Sequence, residues 1–440
     1  MKQSQTDLSP KIKLLEAISI GIGGMVGGGI FAVLGLAVSL AKGATPIAFS
    51  VAGALALITS YSYVKLSLGF PDRGGTVKFI NQSFGKTVFS GGINNLLWIS
   101  YIIMLSLYSS AFGSYAPNLY SLSGNETIDF HIYASAVILL ATAINYYSIK
   151  IVGEIESFAV VIKLIILIGF VGIGLYGLVG NENLSQLSPN KWENTLQILG
   201  GGMVIFVAYE GFELIANSVP DIVHPEKNVP RAYYFSISFV ILLYLLIAIV
   251  TVGSLPFIEI AKAEDYVLAE AARPMLGKLG FTIITVAALI STFSAINASL
   301  YGGSRVSYEI AEDDELPHEL TSKLWNQPVG LIITSGLTLI MCNAFDLKSI
   351  STSGSIGFLI VFAMVNYAGF KLSDQIQGNK IVPITGFILC IIASITLVVQ
   401  QYQSNKWGIF IALTIALVSF LIEFFYKRSK SYRNRKISDY

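Results

Sequence analysis

The sequence predicts an all-α integral membrane protein with twelve transmembrane helices. Hydrophobic residues make up 54% of the chain and charged residues only 12%, whereas about 25% of the residues of a soluble protein are charged. With so few charged residues, most of the surface of a folded 440-residue chain would be apolar, and such a surface is not soluble in water. Apolar segments long enough to cross a bilayer also recur along the whole chain.

Each predicted span is a mostly apolar segment of about 20 residues, the length that crosses the hydrocarbon of a bilayer. The twelve segments are 14–40, 45–69, 88–117, 131–149, 155–179, 196–217, 232–254, 277–308, 328–344, 350–370, 381–400 and 407–426. Short turn-forming or charged pieces separate them, and segment 255–275 is typical of a short amphipathic helix on the membrane surface. None of these pieces is long enough for a soluble domain.

The lysine and arginine residues predict which side of the membrane each loop occupies. With the N-terminus in the cytoplasm, 20 of the 28 basic residues fall on cytoplasmic pieces and 7 on outer pieces, while Lys163 lies inside a span. This asymmetry follows the positive-inside rule. We therefore expect the N-terminal tail (1–13) and the basic C-terminal tail (427–440) to be cytoplasmic.

Two spans contain residues that disfavour a continuous helix in mid-membrane. Segment 21–29 of the first span has six glycines, and each costs about 1 kcal/mol relative to alanine in a helix interior. The sixth span contains Gly200–Gly202 and then Glu210 and Glu213, which flank Gly211. A carboxylate costs about 2.5–3.5 kcal/mol at the bilayer centre, so both must face protein or water. We predict that both helices unwind, the second of them beside Gly211.

The positions of the two breaks predict an internal repeat. One broken span opens spans 1–5 and the other opens spans 6–10, and because five is odd the two halves have opposite orientations. Interrupted helices at matching positions of inverted halves indicate a substrate site at the membrane midplane. We expect the first repeat over 14–179, the second over 196–370, and two further helices over 381–426.

The unwound backbone predicts the chemistry of the ligand. N–H groups and a positive dipole end after Gly27, Gly28 and Gly29 suit a carboxylate. Carbonyl groups before Gly23 suit an ammonium group or a metal cation, so a zwitterion matches both ends. The alternative is that these glycines only allow close packing of helices.

Lys163 in the fifth span allows two interpretations. Its long side chain could reach the cytoplasmic interface and leave the ammonium group in water. If the side chain is buried instead, loss of hydration disfavours its charged form and makes it a candidate proton carrier.

Other chemistry has little support in the sequence. Cys342 and Cys390 lie far apart in apolar segments, and His131, His224 and His318 lack the spacing of metal ligands. We therefore expect no disulfide, no metal site, no enzyme activity and no cofactor. A membrane sensor would carry a soluble output domain, and the net charge of +1 gives no reason to expect a nucleic-acid partner.

Several motifs resemble those of amino-acid permeases of the amino acid–polyamine–organocation (APC) superfamily. These motifs are 23–31, 208–213, 228–232 and 70–75. Within the superfamily the chain is most similar to the proton-coupled, sodium-independent ApcT-type transporters. That likeness extends to segments 276–281, 298–303 and 314–317.

The resemblance implies a LeuT-type fold, with a 5+5 inverted repeat, discontinuous helices 1 and 6, and additional helices 11 and 12. It implies transport of a small amino-acid substrate across the cell membrane by alternating access, coupled to protons rather than sodium. A monomer or a homodimer in the lipid bilayer would carry out this transport.

The resemblance also assigns roles to individual residues. Backbone N–H groups of Gly27, Gly28 and Gly29 would hold the substrate carboxylate. Carbonyl groups near the first break and around the second would face its amino group; the residues concerned are Gly23, Met25, Tyr209, Glu210 and Gly211.

Lys163 matches the family's lysine of span 5, whose ammonium group takes the place of a sodium ion. That place lies near the carbonyl of Gly23 and a hydroxyl of span 8, for which Ser291 is the first candidate and Ser294 the second. Glu213 resembles a residue that couples span 6 to its neighbours.

Glu210 departs from the family pattern, in which this residue is usually apolar. A carboxylate here could contact a cationic substrate or a second proton, which favours an alternative function as an exchanger of cationic amino acids or polyamines. It could instead be bound by protein hydroxyls such as that of Tyr209.

Overall fold

The computed structural model describes residues 12–147, 149–313, 315, 323–324 and 327–438, and these are almost entirely helical. The helices are α1 (Leu14–Met25), α2 (Gly29–Ala41), α3 (Thr45–Gly69), α4 (Thr76–Phe84), α5 (Val88–Tyr115), α6 (Glu126–Tyr147), α7 (Ile149–Gly177), α8 (Thr195–Val204), α9 (Pro225–Ser254), α10 (Phe257–Lys262), α11 (Val267–Ala271), α12 (Arg273–Glu312), α13 (Val329–Ala344), α14 (Leu347–Lys371), α15 (Ile381–Ser404) and α16 (Lys406–Ser438). A 3-10 helix, Ile205–Asp221, continues α8. Strands Lys323–Leu324 and Gln327–Pro328 form a short antiparallel pair.

The twelve predicted spans all coincide with helices of the described residues. Ten of these helices are long and apolar enough to cross a membrane, and the bent pair α1–α2 makes an eleventh candidate. Helix α13 is apolar but has only 16 residues, so the twelfth span stays a prediction. The expected amphipathic segment 255–275 consists of α10, a 3-10 turn and α11. Residues 314, 316 and 317 of one family-like motif lie outside the described residues.

Helix α5 lies at the centre of the molecule, and α6 and α15 lie at its periphery. In the most apolar stretch of each helix, 89% of the residues are buried in α5, compared with 28% in α6 and in α15. The exposed side chains of α15 include Ile388, Ile392 and Ile395. A helix that is apolar on its exposed face as well as its buried face has hydrocarbon as its solvent.

The first span breaks where the glycines predict. Helix α1 ends at Met25 and α2 begins at Gly29, and their axes differ by 46°. Val26 leaves the helical conformation with φ −81° and ψ 41°. The groups around this turn are buried, so their hydrogen-bond partners have to come from other helices.

The second discontinuity differs from the predicted one in place and in kind. The chain does not unwind beside Gly211 but changes from α-helix to 3-10 helix at Ile205 and stays helical to Asp221. Gly211 packs directly against the backbone of Gly24, where either glycine would clash if it carried a Cβ. Close packing therefore explains these two glycines, and the break of the first span lies immediately beyond them.

Backbone pairing joins loops that the charge pattern places on the same side of the membrane. On the predicted cytoplasmic side Ile12 pairs with Ile222, and Arg73 forms an ion pair of 3.0 Å with Asp221. On the predicted outer side Lys42 pairs with Trp192. These contacts agree with the predicted alternation of the loops.

Candidate substrate and coupling site

The two discontinuous spans meet at a tyrosine of α9. The hydroxyl of Tyr244 donates a hydrogen bond of 2.6 Å to the carbonyl of Met25 and lies 3.4 Å from the carbonyl of Ala208. Met25 ends α1, and Ala208 lies in the 3-10 helix. One buried hydroxyl thus connects the carbonyl groups of both discontinuities.

Lys163 projects from α7 to the first break. Its side chain is fully buried, and its Nζ donates a hydrogen bond of 3.1 Å to the carbonyl of Gly23. The side chain therefore does not extend to the interface, and of the two interpretations left open by the sequence, burial applies. The ammonium group lies at the glycine-rich turn, where the resemblance places it.

Ser291 of α12 contacts the other end of the same turn. Its hydroxyl lies 3.1 Å from the carbonyl of Val26 and 2.8 Å from that of Gly27. Ser294, the second candidate, is also buried and follows three residues later on α12. The break leaves carbonyl groups of the first span without helical hydrogen bonds. Lys163 of α7 and Ser291 of α12 donate hydrogen bonds to these carbonyl groups.

The start of α2 carries the N–H groups predicted to hold a carboxylate. The first N–H groups of an α-helix have no acceptor within that helix, and they carry the positive end of its dipole. Glycine is required here for space, because a Cβ on Gly28 would collide with the ring of Tyr108 and one on Gly29 would lie 2.9 Å from Ala208. The N–H groups therefore sit between α5 and the 3-10 helix.

Glu213 connects the 3-10 helix to three other helices. Its Oε2 accepts hydrogen bonds from Thr76 of α4 at 2.8 Å and from Tyr63 of α3 at 3.3 Å. Its Oε1 accepts one from the hydroxyl of Tyr101 on α5. This set of contacts agrees with the coupling role that the resemblance implies for Glu213.

Glu210 has a different environment from Glu213. The residue is 2% exposed, and its Oε2 receives no hydrogen bond from any described residue. The hydroxyl of Tyr209 donates instead to the carbonyl of Phe49, at 3.0 Å. The interpretation that Tyr209 satisfies the Glu210 carboxylate is therefore wrong.

Sequence reasoning missed the tyrosines that complete the site. Tyr63, Tyr101 and Tyr244 are each at most 1% exposed, and each hydroxyl has a partner at Glu213 or at a discontinuity. A tyrosine in the middle of an apolar span is the available signal, because its hydroxyl must find a partner away from water. Its partner could not be named, since it comes from a helix distant in sequence.

A helical bundle with a broken span, a buried lysine at the break and buried carboxylates on the opposing helix defines a membrane transporter of small molecules. Residues 12–421 match the family described as amino acid permease. The chain belongs to this family and thus to the APC superfamily.

Several relatives match nearly the whole chain. An uncharacterized protein of Methanocaldococcus jannaschii is 33% identical, covering 95% of each chain. The inner membrane transport protein YbaT of Escherichia coli is 30% identical and covers 95% of this chain and 96% of its own. A methylthioribose transporter of Bacillus subtilis is 24% identical, over 97% of this chain and 95% of its own. These relatives agree with a multi-pass membrane transporter.

Proposed function

We propose that the protein is a secondary active transporter of amino acids across the cytoplasmic membrane, coupled to protons and independent of sodium. The observation that carries this proposal is the buried Lys163, whose ammonium group meets the carbonyl of Gly23 at the break. Because the ammonium group of Lys163 already occupies this place, we expect no sodium ion to bind there. A lysine can also gain and lose a proton, as a coupling group must.

The substrate would bind at the two discontinuities. Its carboxylate would accept hydrogen bonds from the N–H groups of Gly27, Gly28 and Gly29. Its amino group would face the carbonyl groups of Met25 and Ala208, which have a second lone pair each besides the one used by Tyr244. The zwitterion would thereby hold the two repeats together.

Loss of the Lys163 proton would link coupling to conformational change. The charged ammonium group of Lys163 donates a hydrogen bond to the carbonyl of Gly23 and so holds α7 against α1. A neutral amine makes a weaker hydrogen bond than a charged one, so deprotonation loosens α7 from α1. The proton would leave on the cytoplasmic side, and the substrate would be released there as the site opens.

Uptake into proteoliposomes tests the proposal. A thermal-shift screen of the purified protein against the amino acids and common polyamines first identifies a radiolabelled probe. Uptake should follow an imposed proton gradient, acidic outside, and should be unchanged by a sodium gradient. Uptake that needs sodium and ignores the proton gradient would overturn the coupling.

A second candidate function is obligate exchange of cationic amino acids or polyamines. The observation in its favour is the buried carboxylate of Glu210, whose Oε2 lacks a hydrogen bond among the described residues. Counterflow separates the two functions, because an obligate exchanger loads preloaded vesicles and fails to load empty ones.

A further inference from the structure

Glu210 and Glu213 form a pair of carboxylates on one face of the 3-10 helix. Side chains three residues apart eclipse each other in this kind of helix, because it has three residues per turn. Both residues are only 2% exposed. Two buried negative charges at such a spacing repel each other strongly unless a proton or a cation neutralises one of them.

The hydrogen bonds distinguish the two carboxylates. Glu213 accepts bonds from three hydroxyl groups, an environment that stabilises an ionised carboxylate. Glu210 has an Oε2 without a donor, so its ionised form is poorly stabilised when the site is empty. Of the two carboxylates, Glu213 is therefore better placed to hold a negative charge, and Glu210 is better placed to hold a proton.

The other charged or titratable groups around the pair do not replace that cation. Tyr101 of α5 lies near both carboxylates and already donates to Glu213. Tyr63 of α3 and Tyr233 of α9 face Glu213. Lys163 of α7 contacts the carbonyl of Gly23 at the other break.

Glu210 lies in sequence between two residues that contact the first break. Ala208, two residues earlier, packs against Gly29 at the start of α2, and Gly211, the next residue, packs against Gly24 at the end of α1. The Glu210 side chain thus arises from the part of the 3-10 helix that walls the first break. In a helix with three residues per turn, Glu210 lies on the face beside the one that Ala208 and Gly211 present to the break, and the side chain of a substrate held at the break would have to extend toward that face.

We propose that Glu210 exchanges its proton for a cationic group on the substrate side chain. A neutral amino acid binds beside protonated Glu210, whereas a substrate with a second amine binds beside ionised Glu210. In the second case the Glu210 O–H bond breaks, the proton passes to water, and the carboxylate pairs with the substrate ammonium group. This inference rests on the proposed function and names the wider substrate class of the same site.

The exchange has a consequence for charge. A cationic substrate brings one more positive charge than a neutral one, and the proton released from Glu210 removes one. The loaded site therefore has the same net charge with either substrate. The membrane potential would then act equally on the loaded site with either class of substrate, so one transporter could carry both.

L-Lysine and L-norleucine are a matched pair of probes, because norleucine is lysine without its terminal amine. Binding to the purified full chain is followed in weakly buffered detergent solution with a pH-indicator dye. We expect about one more proton released per lysine bound than per norleucine bound. Glu210→Gln should weaken lysine binding at least about tenfold more than norleucine binding and lose the extra proton release.

Glu210→Asp is the matched control, because it keeps a carboxylate at this place. It should retain the extra proton release with lysine, and the thermal unfolding of both variants checks that they fold. Equal proton release with the two probes in the wild type would overturn the proposal and leave amino-acid transport standing. Loss of norleucine binding in a folded Glu210→Gln variant would also overturn it, because Glu210 would then hold the α-amino group. Binding of neither probe by the wild type would overturn this inference, whereas the proposed amino-acid transport would fall only if no amino acid in the thermal-shift screen binds.

Discussion

Gly24 and Gly211 allow the backbones of the two discontinuous spans to touch. A Cβ on Gly24 would lie 2.7 Å from the carbonyl oxygen of Gly211, and a Cβ on Gly211 would collide with the backbone of Gly24. Neither backbone can move without displacing the break that carries the proposed substrate site. Glycine at these two places is therefore a requirement of packing.

Gly211→Ala should destabilise the protein because its methyl group overpacks this contact. We expect a loss of about 1–3 kcal/mol, the usual cost of an added methyl group in a close-packed interior. Thermal unfolding in detergent measures the loss as a lower midpoint. Gly172→Ala is the control, because a Cβ there meets nothing within 4 Å. Equal midpoints for the two variants would contradict the backbone contact.

Asp265, on the predicted outer surface between α10 and α11, should make stability depend on pH. The pKa of Asp265 is raised from 3.8 to about 6. The largest cause is the loss of hydration of its carboxylate next to the surrounding protein, and the negative charges of Glu264 and Asp346 add to it. The folded state thus binds this proton more tightly than the unfolded state, and stability falls as the pH rises from about 4 to 6. Asp265→Asn should raise the unfolding midpoint at pH 7.5 and leave it unchanged near pH 4. A gain of equal size at both pH values would exclude this ionisation as its cause.

From the sequence, a residue could be predicted to belong to the site only where its own chemistry requires a partner. Lys163 and Glu213 are charged residues in apolar spans and therefore require partners, and the sequence indicates both as site residues. The adjacent Tyr209 is only one example of a partner that the sequence offers for Glu210, and its hydroxyl donates to the carbonyl of Phe49 instead. Neighbours in sequence point in different directions on a helix, so adjacency is weak evidence of contact.

Helix α14 stabilises the change of helix type in the sixth span. The hydroxyl groups of Ser351 and Ser355 lie 2.9 and 2.8 Å from the carbonyl of Val204, the last residue of α8. The Ser355 hydroxyl also accepts a bond from the N–H of Val207, at 3.2 Å. Side chains of α14 thus satisfy backbone groups where α8 gives way to the 3-10 helix.

Removing both serine hydroxyls should weaken the sixth span. Ser351→Ala with Ser355→Ala leaves the buried groups of Val204 and Val207 with fewer partners, at a cost of about 1–3 kcal/mol for each group left unsatisfied. Hydrogen exchange should show faster exchange across 204–211 than in the wild type. Ser394→Ala is the control, because this hydroxyl bonds only to a carbonyl of its own helix. Unchanged exchange in the double variant would contradict this role of α14.

The two discontinuities were not equally predictable. Six glycines in segment 21–29 disfavour a helix strongly, and the first break lies among them. In the sixth span the discontinuity follows Gly200–Gly202, and Gly211 serves for packing. The difference depends on Ser351 and Ser355, about 150 residues away in sequence, and local composition does not contain that information.

The charged residues and the contacts between loops indicate which loops lie on the same side of the membrane. The predicted cytoplasmic contacts of Ile12, Arg73 and Asp221 and the outer contact of Lys42 with Trp192 never join one side to the other. Eleven candidate spans and the pairing of loops on one side could therefore be predicted from hydropathy and charge. The basic residues predict which of the two sides faces the cytoplasm.

Labelling of introduced cysteines tests this orientation. Lys191→Cys should react with an impermeant thiol reagent added to intact cells, and Lys227→Cys should react only after the membrane is opened. Both lysines are exposed, and the native Cys342 and Cys390 are buried, so the background should be low. The reverse pattern would invert the predicted topology.

The central claim for the whole molecule is that the proton on Lys163 couples substrate binding to alternating access. Proteoliposomes with Lys163→Gln test it most directly, with Lys191→Gln as the control because that lysine is exposed. Glutamine keeps a donor for the carbonyl of Gly23 but cannot release a proton. Lys163→Gln should retain counterflow of its substrate and lose accumulation driven by a proton gradient, while the control retains both. Proton-driven accumulation at the wild-type level in Lys163→Gln would contradict the account.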